Sequence, residues 1–283
     1  MRDTNIEDIE LELLLEGIFQ RYGYDFRHYS RASIKRRVKH FMAKSGQGKI
    51  SEVTTLALHD SNFFQQLVED FSVPVTEMFR DPDVYQALRE KVLPRLATYP
   101  FIKIWHAGCA SGEEVYSLAI LLKEEGLYER TTIYATDFNE IVLAKAKQGI
   151  YPLADVKRNI ENYRRAGGKG SLAEYFDALY DSIIMSKTIK KNITFARHNL
   201  AIDQVFGEMN LILCRNVLIY FDKMLQERVL HLFNDSIIRG GFLCLGKKES
   251  LQFFEIYEHY KDIDSSSKIY QKKQREQPGS APL

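Results

Sequence analysis

Residues 211–221, LILCRNVLIYF, contain polar residues directly after a strand-like apolar run. Arg215 and Asn216 come directly after the apolar residues, and Tyr220 follows a further apolar stretch. In open α/β sheets, ligands bind in the crevice at the carboxyl ends of the strands. Burying such side chains without partners would cost on the order of several kcal/mol, so they are difficult to explain as core. The pattern therefore predicts a ligand-binding or catalytic role for Arg215 and Asn216.

A second candidate site lies in residues 104–122, IWHAGCASGEEVYSLAILL, which read as strand, turn and helix. Gly108 and Gly112 flank the turn, and a glycine lets the backbone approach a ligand without a Cβ in the way. The spacing is not GxGxxG, so the turn alone fits an ordinary strand–helix connection equally well. Glu113 and Glu114 could likewise serve only to offset the helix dipole.

An acidic residue, Asp137, ends the next strand in YATDF at residues 134–138. An acid in this position can accept both hydroxyls of an adenosine ribose, although aspartate is also a common helix cap. Together with the glycine turn, Asp137 favours a nucleoside cofactor. The chain has no GxxxxGK[ST] motif, which disfavours ATP held in a P-loop. Dinucleotides and S-adenosylmethionine remain as alternatives at this point.

The elements that must position these residues fall into two classes. Apolar residues spaced by three and four predict an all-helical domain over residues 1–75, with Ile6, Ile9 and Leu13 on one helical face. Residues 76–94 read as a linker and a connecting helix, which begins at Asp81-Pro82 and stops before Pro94.

Strands alternate with helices over residues 95–274, which predicts a mainly parallel, doubly wound sheet. A helix over residues 222–239 is expected to end at Gly240-Gly241, before two closing strands at 241–246 and 267–273. Residues 150–192 fit this alternation poorly and are interpreted as an inserted subdomain. The tail, 275–283, is predicted to be disordered.

Composition limits the possible functions. The 283 residues carry a formal net charge of +1, which gives no general argument for binding nucleic acid. The acidic start lacks the features of a secretory signal, and no stretch of about 18 apolar residues predicts membrane insertion. Cys109, Cys214 and Cys244 form no CxxC pair, so neither a disulfide framework nor a metal site is expected. These features predict a cytoplasmic protein.

Several motifs together resemble the CheR family of protein-glutamate O-methyltransferases. They are VTEMFRD (75–81), AGCASGEEVYSLA (107–119), ATDFNEIVLAKAKQGIY (135–151), HNL (198–200) and CRNVLIYFDKMLQERVL (214–230). The resemblance implies a Rossmann-like methyltransferase domain behind an all-helical domain, with a small inserted β-subdomain. It also implies methyl transfer from S-adenosylmethionine to glutamates of chemoreceptors, which yields methyl esters and S-adenosylhomocysteine.

The resemblance assigns roles to individual residues. Arg80, Tyr220 and Arg215 would be catalytic. Cofactor binding would involve the glycine turn, the acids after it and the polar strand ends: Thr76, Arg80, Gly108, Glu113, Glu114, Asp137, Asn199, Leu200, Arg215, Asn216 and Val217. Of the two glutamates, Glu114 is favoured. Pro74 and Lys247-Lys248 depart from the usual family pattern, which leaves a catalytically weak docking module as the alternative function.

A basic helix around SIKRRVKH (33–40) is a candidate partner surface. By resemblance, it would meet the glutamate-rich cytoplasmic helices of a chemoreceptor through Lys35, Arg36, Arg37 and Lys39. Complementary charge would speed and orient such docking. The simpler explanation is a solvated charged face. The protein itself is expected to be a monomer.

Overall fold

Four helices form the N-terminal domain of the computed structural model, which describes residues 5–71 and 76–274. They are α1 (Ile6–Tyr22), α2 (Arg31–Ser45), α3 (Ile50–His59) and α4 (Ser61–Phe71). Apolar residues from all four helices close on one core. The buried faces of α2 and α4 have helical spacing, with Ile34 and Val38 in α2 and Phe64 and Leu67 in α4.

The predicted face of α1 is wrong. Ile6, Ile9 and Leu13 are 73%, 44% and 62% exposed, respectively. The buried side of α1 instead carries Leu11, Leu14, Leu15 and Ile18. Both sets have helical spacing, so periodicity alone could not decide which of them faces the core.

The connecting helix continues past Pro94, contrary to the prediction. Its parts are α5 (Pro82–Ala87), a π-helical turn (Leu88–Val92) and α6 (Leu93–Leu96). The wider turn lets the Leu93 N–H reach the Leu88 carbonyl and places Pro94 in the first turn of α6, where its missing N–H costs little. Pro74 and the tail, 275–283, lie outside the described residues.

A seven-stranded sheet forms the centre of the second domain, and the predicted fold class is confirmed. Its strands are β1 (Ile102–Ala107), β2 (Thr131–Asp137), β6 (Ile193–Arg197), β7 (Met209–Cys214), β8 (Ile237–Leu245), β9 (Tyr260–Asp264) and β10 (Ile269–Lys272). The order is β6-β2-β1-β7-β8-β10-β9, with β10 antiparallel to both its neighbours. The chain runs outwards from β1 to β6 and returns at β7, so the order reverses between β1 and β7.

Helices cover both faces of this sheet. They include α7 (Glu113–Glu124), α8 (Glu140–Gln148) and α11 (Lys223–Ser236). Every residue of β7 is buried, as expected for a central strand covered on both sides. The predicted end of the last helix is wrong, because residues 237–239 and Gly240-Gly241 belong to β8.

The insert between α8 and β6 forms its own small sheet. Its strands are β3 (Ile150–Pro152), β4 (Phe176–Leu179) and β5 (Ser182–Met185), in the order β3-β5-β4. Two helices, α9 (Val156–Arg165) and α10 (Lys187–Lys190), accompany it. A compact, antiparallel subdomain is therefore present where the sequence predicts an insertion.

Candidate active-site crevice

A crevice opens at the carboxyl ends of β1, β2 and β7, where the strand order reverses. Its empty space is about 970 Å³ including the open mouth, which suits a cofactor-sized ligand. The residues that line it come from both domains: Tyr29, Phe71, Thr76, Arg80, His106, Gly108, Cys109, Ala110, Glu114, Asp137, Phe138, Val142, His198, Asn199, Leu200, Arg215, Asn216, Val217, Tyr220 and Phe221. The structure thus brings together every predicted catalytic residue and all the predicted cofactor residues except Glu113.

The turn after β1 requires glycine for two reasons. Gly108 has a φ of 74°, which side chains rarely adopt. A Cβ at this position would lie 2.5 Å from Cγ2 of Val217, well inside contact distance. Gly108 therefore lets the loops after β1 and β7 meet at the floor of the crevice.

Asp137 is held by the backbone on both oxygens. Oδ2 accepts from the Ala110 N–H and Oδ1 from the Asn139 N–H, both at 3.0 Å. Burial raises the pKa of Asp137, while these backbone hydrogen bonds favour the ionised form. Each oxygen keeps a lone pair, so the oriented carboxylate can accept further hydrogen bonds from the crevice.

Arg215 lies at the centre of a buried charge cluster. Its guanidinium is 2.8 Å from the Glu114 carboxylate and 2.6 Å from that of Asp81, and its side chain is fully buried. It also donates to the carbonyl of Arg80 at 3.3 Å. Burial alone would raise the pKa of Glu114, but Arg215 and His106 together hold it at about 2. The cluster fixes Arg80 and Asp81, just before α5, against the first turn of α7 and the end of β7.

Glu249 anchors the loop after β7, and sequence reasoning missed it. Its carboxylate accepts from the N–H groups of Gly246, Asn216, Val217 and Ile219 at 2.6, 3.1, 2.9 and 3.3 Å, respectively. Asn216 has a φ of 61°, so this loop is locally strained. The sequence signal for it is the turn at residues 246–250, in which the glutamate stands directly after the two lysines.

The lysines of that turn play a more peripheral part. The Lys247 ammonium is 2.7 Å from Asp83 and 3.9 Å from Asp81, on the outer side of the Arg215 cluster. Lys248 is exposed. Although its lysines depart from the family pattern, this turn still holds the loop after β7 through the hydrogen bonds of Glu249.

The remaining predicted cofactor residues differ in position. The backbone N–H of His198 donates to the Asp137 carbonyl at 3.1 Å, which brings Asn199 and Leu200 into the lining of the crevice. Thr76 and Arg80 line the side next to the helical domain. Glu113 points elsewhere and accepts from the Ser111 hydroxyl at 2.8 Å. Of these two glutamates, Glu114 lines the crevice and Glu113 does not.

The helical domain supplies an aromatic wall that the sequence did not reveal. Tyr29 and Phe71 line the crevice opposite the strand ends. Phe138, which directly follows Asp137, packs on the helical domain's core, with its ring centre 5.7 Å from that of Phe26. These contacts depend on how the two domains pack, and no local motif marks them.

Two of the basic residues on α2 are paired with acids of α1. Lys35 Nζ is 2.6 Å from Asp8 and 3.2 Å from Glu7, and Lys39 Nζ is 2.9 Å from Glu7. These pairs are partly exposed and contribute little stability, so a partner could exchange them readily.

The other two differ from each other. The Arg37 guanidinium lies over the Tyr220 ring, 4.6 Å from its centre, and so faces the crevice side. Arg36 is exposed, and it forms no ion pair within residues 5–71 and 76–274. On the basic helix, Arg36 therefore faces solvent, where a partner could bind it, and Arg37 faces the crevice side.

Several polar atoms along the crevice are ready for a ligand. Among the described residues, nothing hydrogen-bonds to Nδ1 of His106, to Nδ1 of His198 or to Oδ1 of Asn216, although all three atoms are buried. Buried polar atoms normally have partners. S-adenosylmethionine has a ribose and a charged amino-acid group, so it needs polar contacts at both ends. The residues present fit this cofactor.

Comparisons with known proteins agree across both domains. The family model for the all-alpha domain of CheR methyltransferase matches residues 9–72, and that for its SAM binding domain matches residues 74–269. A Pseudomonas putida protein named Cher3 is 50% identical over 265 residues, covering 94% of this chain and 97% of that protein.

Two further relatives carry more specific names. A chemotaxis protein methyltransferase of Borreliella burgdorferi is 30% identical and covers 88% of this chain and 91% of its own length. Chemotaxis protein methyltransferase 2 of Vibrio cholerae is 29% identical and covers 95% of each chain. In the structure, no helix within residues 5–71 and 76–274 is long and apolar enough to cross a membrane.

Proposed function

Because this chain belongs to the CheR methyltransferase family, we propose that it methylates glutamate side chains in the cytoplasmic helices of chemoreceptors. It is an S-adenosylmethionine-dependent methyltransferase of the chemotaxis type. The proposed glutamate substrate rests chiefly on the family models, which match both domains. They match the helical domain in addition to the cofactor-binding domain. The products would be a glutamate methyl ester and S-adenosylhomocysteine.

The bound cofactor supplies an electrophilic methyl group on its sulfonium. The acceptor carboxylate is already ionised at pH 7, so the reaction needs no general base. The protein's task is to hold the two reactants in line and exclude water. The crevice supports this proposal, because its catalytic candidates are a tyrosine and two arginines that orient groups without removing a proton.

The proposed division of labour follows the geometry of the crevice. Asp137 would accept the ribose hydroxyls, and Asn199 and Leu200 would flank the adenine. Thr76, Arg80, Gly108 and Glu114 would also bind the cofactor. The methyl-transfer end would be lined by Arg215, Asn216, Val217 and Tyr220. Arg80, Tyr220 and Arg215 would orient the reacting groups.

The proposed partner is an acidic, helical receptor segment. Arg36 is exposed on α2, and Lys35 and Lys39 can leave their surface pairs to meet a glutamate-rich helix. Such a reaction takes place in the cytoplasm, and one copy of the chain contains the whole crevice. We therefore propose a cytoplasmic enzyme that acts as a monomer.

The experiment combines binding with turnover. S-adenosylhomocysteine and, separately, NAD are titrated calorimetrically; binding of the former alone is expected. The enzyme is then incubated with methyl-labelled cofactor and a receptor cytoplasmic fragment, and base-labile methyl ester is counted. A fragment with its methyl-accepting glutamates replaced by alanine is the control. Cofactor binding without ester formation would contradict the proposed substrate and favour a docking role.

A further inference from the structure

A short backbone ladder joins the helical domain to the loop that carries Tyr220. The Ser30 N–H donates to the Tyr220 carbonyl at 2.7 Å, and the Asp222 N–H donates to the His28 carbonyl at 2.8 Å. Tyr29 and Phe221 pair between these two bonds as an antiparallel bridge. Residues 28–30 therefore add a strand-like edge to a loop of the other domain.

Side chains reinforce two of these three pairs, and a third contact reaches Tyr220 from α2. The rings of Tyr29 and Phe221 are 5.0 Å apart, edge to face. On one side, His28 Nδ1 lies 3.0 Å from Oδ2 of Asp222. On the other side, Arg37 covers the Tyr220 ring. Backbone, aromatic and charged contacts thus converge on residues 220–222 from one domain.

The inner side of this loop is held differently. Glu249 binds its first residues through the N–H groups of Asn216, Val217 and Ile219. The ladder holds its last residues, 220–222, from outside the methyltransferase domain. Tyr220 directly follows the last residue that Glu249 holds, is bound by Ser30 in the ladder and lines the crevice, so its position depends on both domains.

We propose that residues 28–30 are a positioning segment for the reaction. The helical domain would hold Tyr220 in its working position, in addition to receiving the partner. A receptor helix docked on that domain would then be aligned directly with the methyl-transfer end. This inference rests on the proposed function, since it assigns Tyr220 a part in orienting the reacting groups.

The chain offers a substitution that removes one bond of the ladder. Ser30 has a φ of −50° and a ψ of 116°, both compatible with proline. The preceding residue, Tyr29, lies in an extended bridge, which proline also favours. Ser30→Pro deletes the N–H that reaches Tyr220. Ser30→Ala is the matched control, because the Ser30 side chain makes no cap hydrogen bond to α2.

Turnover and cofactor binding are measured for both variants well below their melting temperatures. We expect Ser30→Pro to lower kcat on the receptor fragment by roughly tenfold relative to Ser30→Ala, which corresponds to about 1.4 kcal/mol. Affinity for S-adenosylhomocysteine should change by less than about threefold, because the cofactor contacts of the strand ends are untouched. A kcat within twofold of the control would overturn the proposal.

Amide hydrogen exchange tests the ladder without depending on turnover. In the wild-type protein, the Ser30 and Asp222 amides should exchange at least about 100-fold more slowly than in an unfolded chain. In Ser30→Pro, Asp222 should lose this protection while the amides of β7 keep theirs. Unprotected Ser30 and Asp222 amides in the wild type would refute the inference. Lack of receptor methylation by the wild type would instead refute the proposed function.

Discussion

The Arg215 guanidinium donates to the Glu114 carboxylate at 2.8 Å in a region that excludes almost all water, since their side chains are 0% and 8% exposed. A buried pair of this kind contributes less to stability than its short distance suggests, because both charges lose their hydration. Removing one partner is much more costly, because the other charge remains buried and unpaired. Substitutions at this pair can therefore separate its effect on stability from its effect on methyl transfer.

Arg215→Met should destabilise the protein by about 3–5 kcal/mol, because it leaves Glu114 unpaired. The double variant Arg215→Met/Glu114→Gln removes the buried charge and should recover much of this loss in urea unfolding. Methyl transfer should stay lost in both variants, because both side chains line the crevice. If the double variant regained activity together with stability, the pair would be structural only.

Gly108→Ala should weaken cofactor binding through two separable effects. The positive φ costs about 1–2 kcal/mol for any residue with a Cβ, and the new methyl group meets Val217 at 2.5 Å. Val217→Ala in the same chain removes the clash but not the strain. Calorimetry with S-adenosylhomocysteine should therefore show partial rescue, with the affinity of the double variant between those of Gly108→Ala and Val217→Ala. Full rescue would mean that the backbone strain at Gly108 is unimportant.

The sequence predicts the layout of this molecule where local patterns are strong. The apolar run at residues 211–214 of β7 predicts a central strand, and the polar pair after it, Arg215-Asn216, predicts one side of the crevice. The edge strand β9 (Tyr260–Asp264) was missed, because YKDID has neither an apolar run nor strict alternation. This segment becomes a strand because it pairs with β10, and not because of its own composition.

The rest of the candidate site could not be predicted because it depends on distant contacts. Tyr29 reaches the crevice only because residues 28–30 pair with residues 220–222. Glu249 gains its role from four N–H groups, three of which lie some 30 residues earlier in the chain. A single sequence does not encode such pairings as a local pattern. Sequence patterns therefore predict the polar strand ends that line the crevice, but not the contacts between the two domains.

Glu249→Gln should lower kcat and stability together. One carboxylate oxygen becomes an NH₂ group, which cannot accept from the N–H groups of residues 216–219. Leaving buried donors unpaired costs about 1–3 kcal/mol, and the loop that carries Tyr220 should become more mobile. The neighbouring substitution, Lys248→Gln, is the control, because that side chain is exposed. Equal activity in the two variants, measured with the receptor fragment, would remove Glu249 from the positioning of this loop.

Glu113→Gln should change how stability depends on pH. Burial raises the pKa of Glu113 from 4.5 to about 7, although the Ser111 hydroxyl bond opposes this. The folded protein thus binds the Glu113 proton more tightly than the unfolded chain does. The resulting stability is present below pH 4.5 and is lost as the pH rises through 7.

The glutamine variant has no such proton, so at pH 8 it should be more stable than the wild type by about 1–3 kcal/mol after allowance for partial exposure. At pH 4.5 the two should unfold at nearly the same urea concentration. A constant difference between the two proteins from pH 4.5 to 8 would show that Glu113 does not titrate in this range.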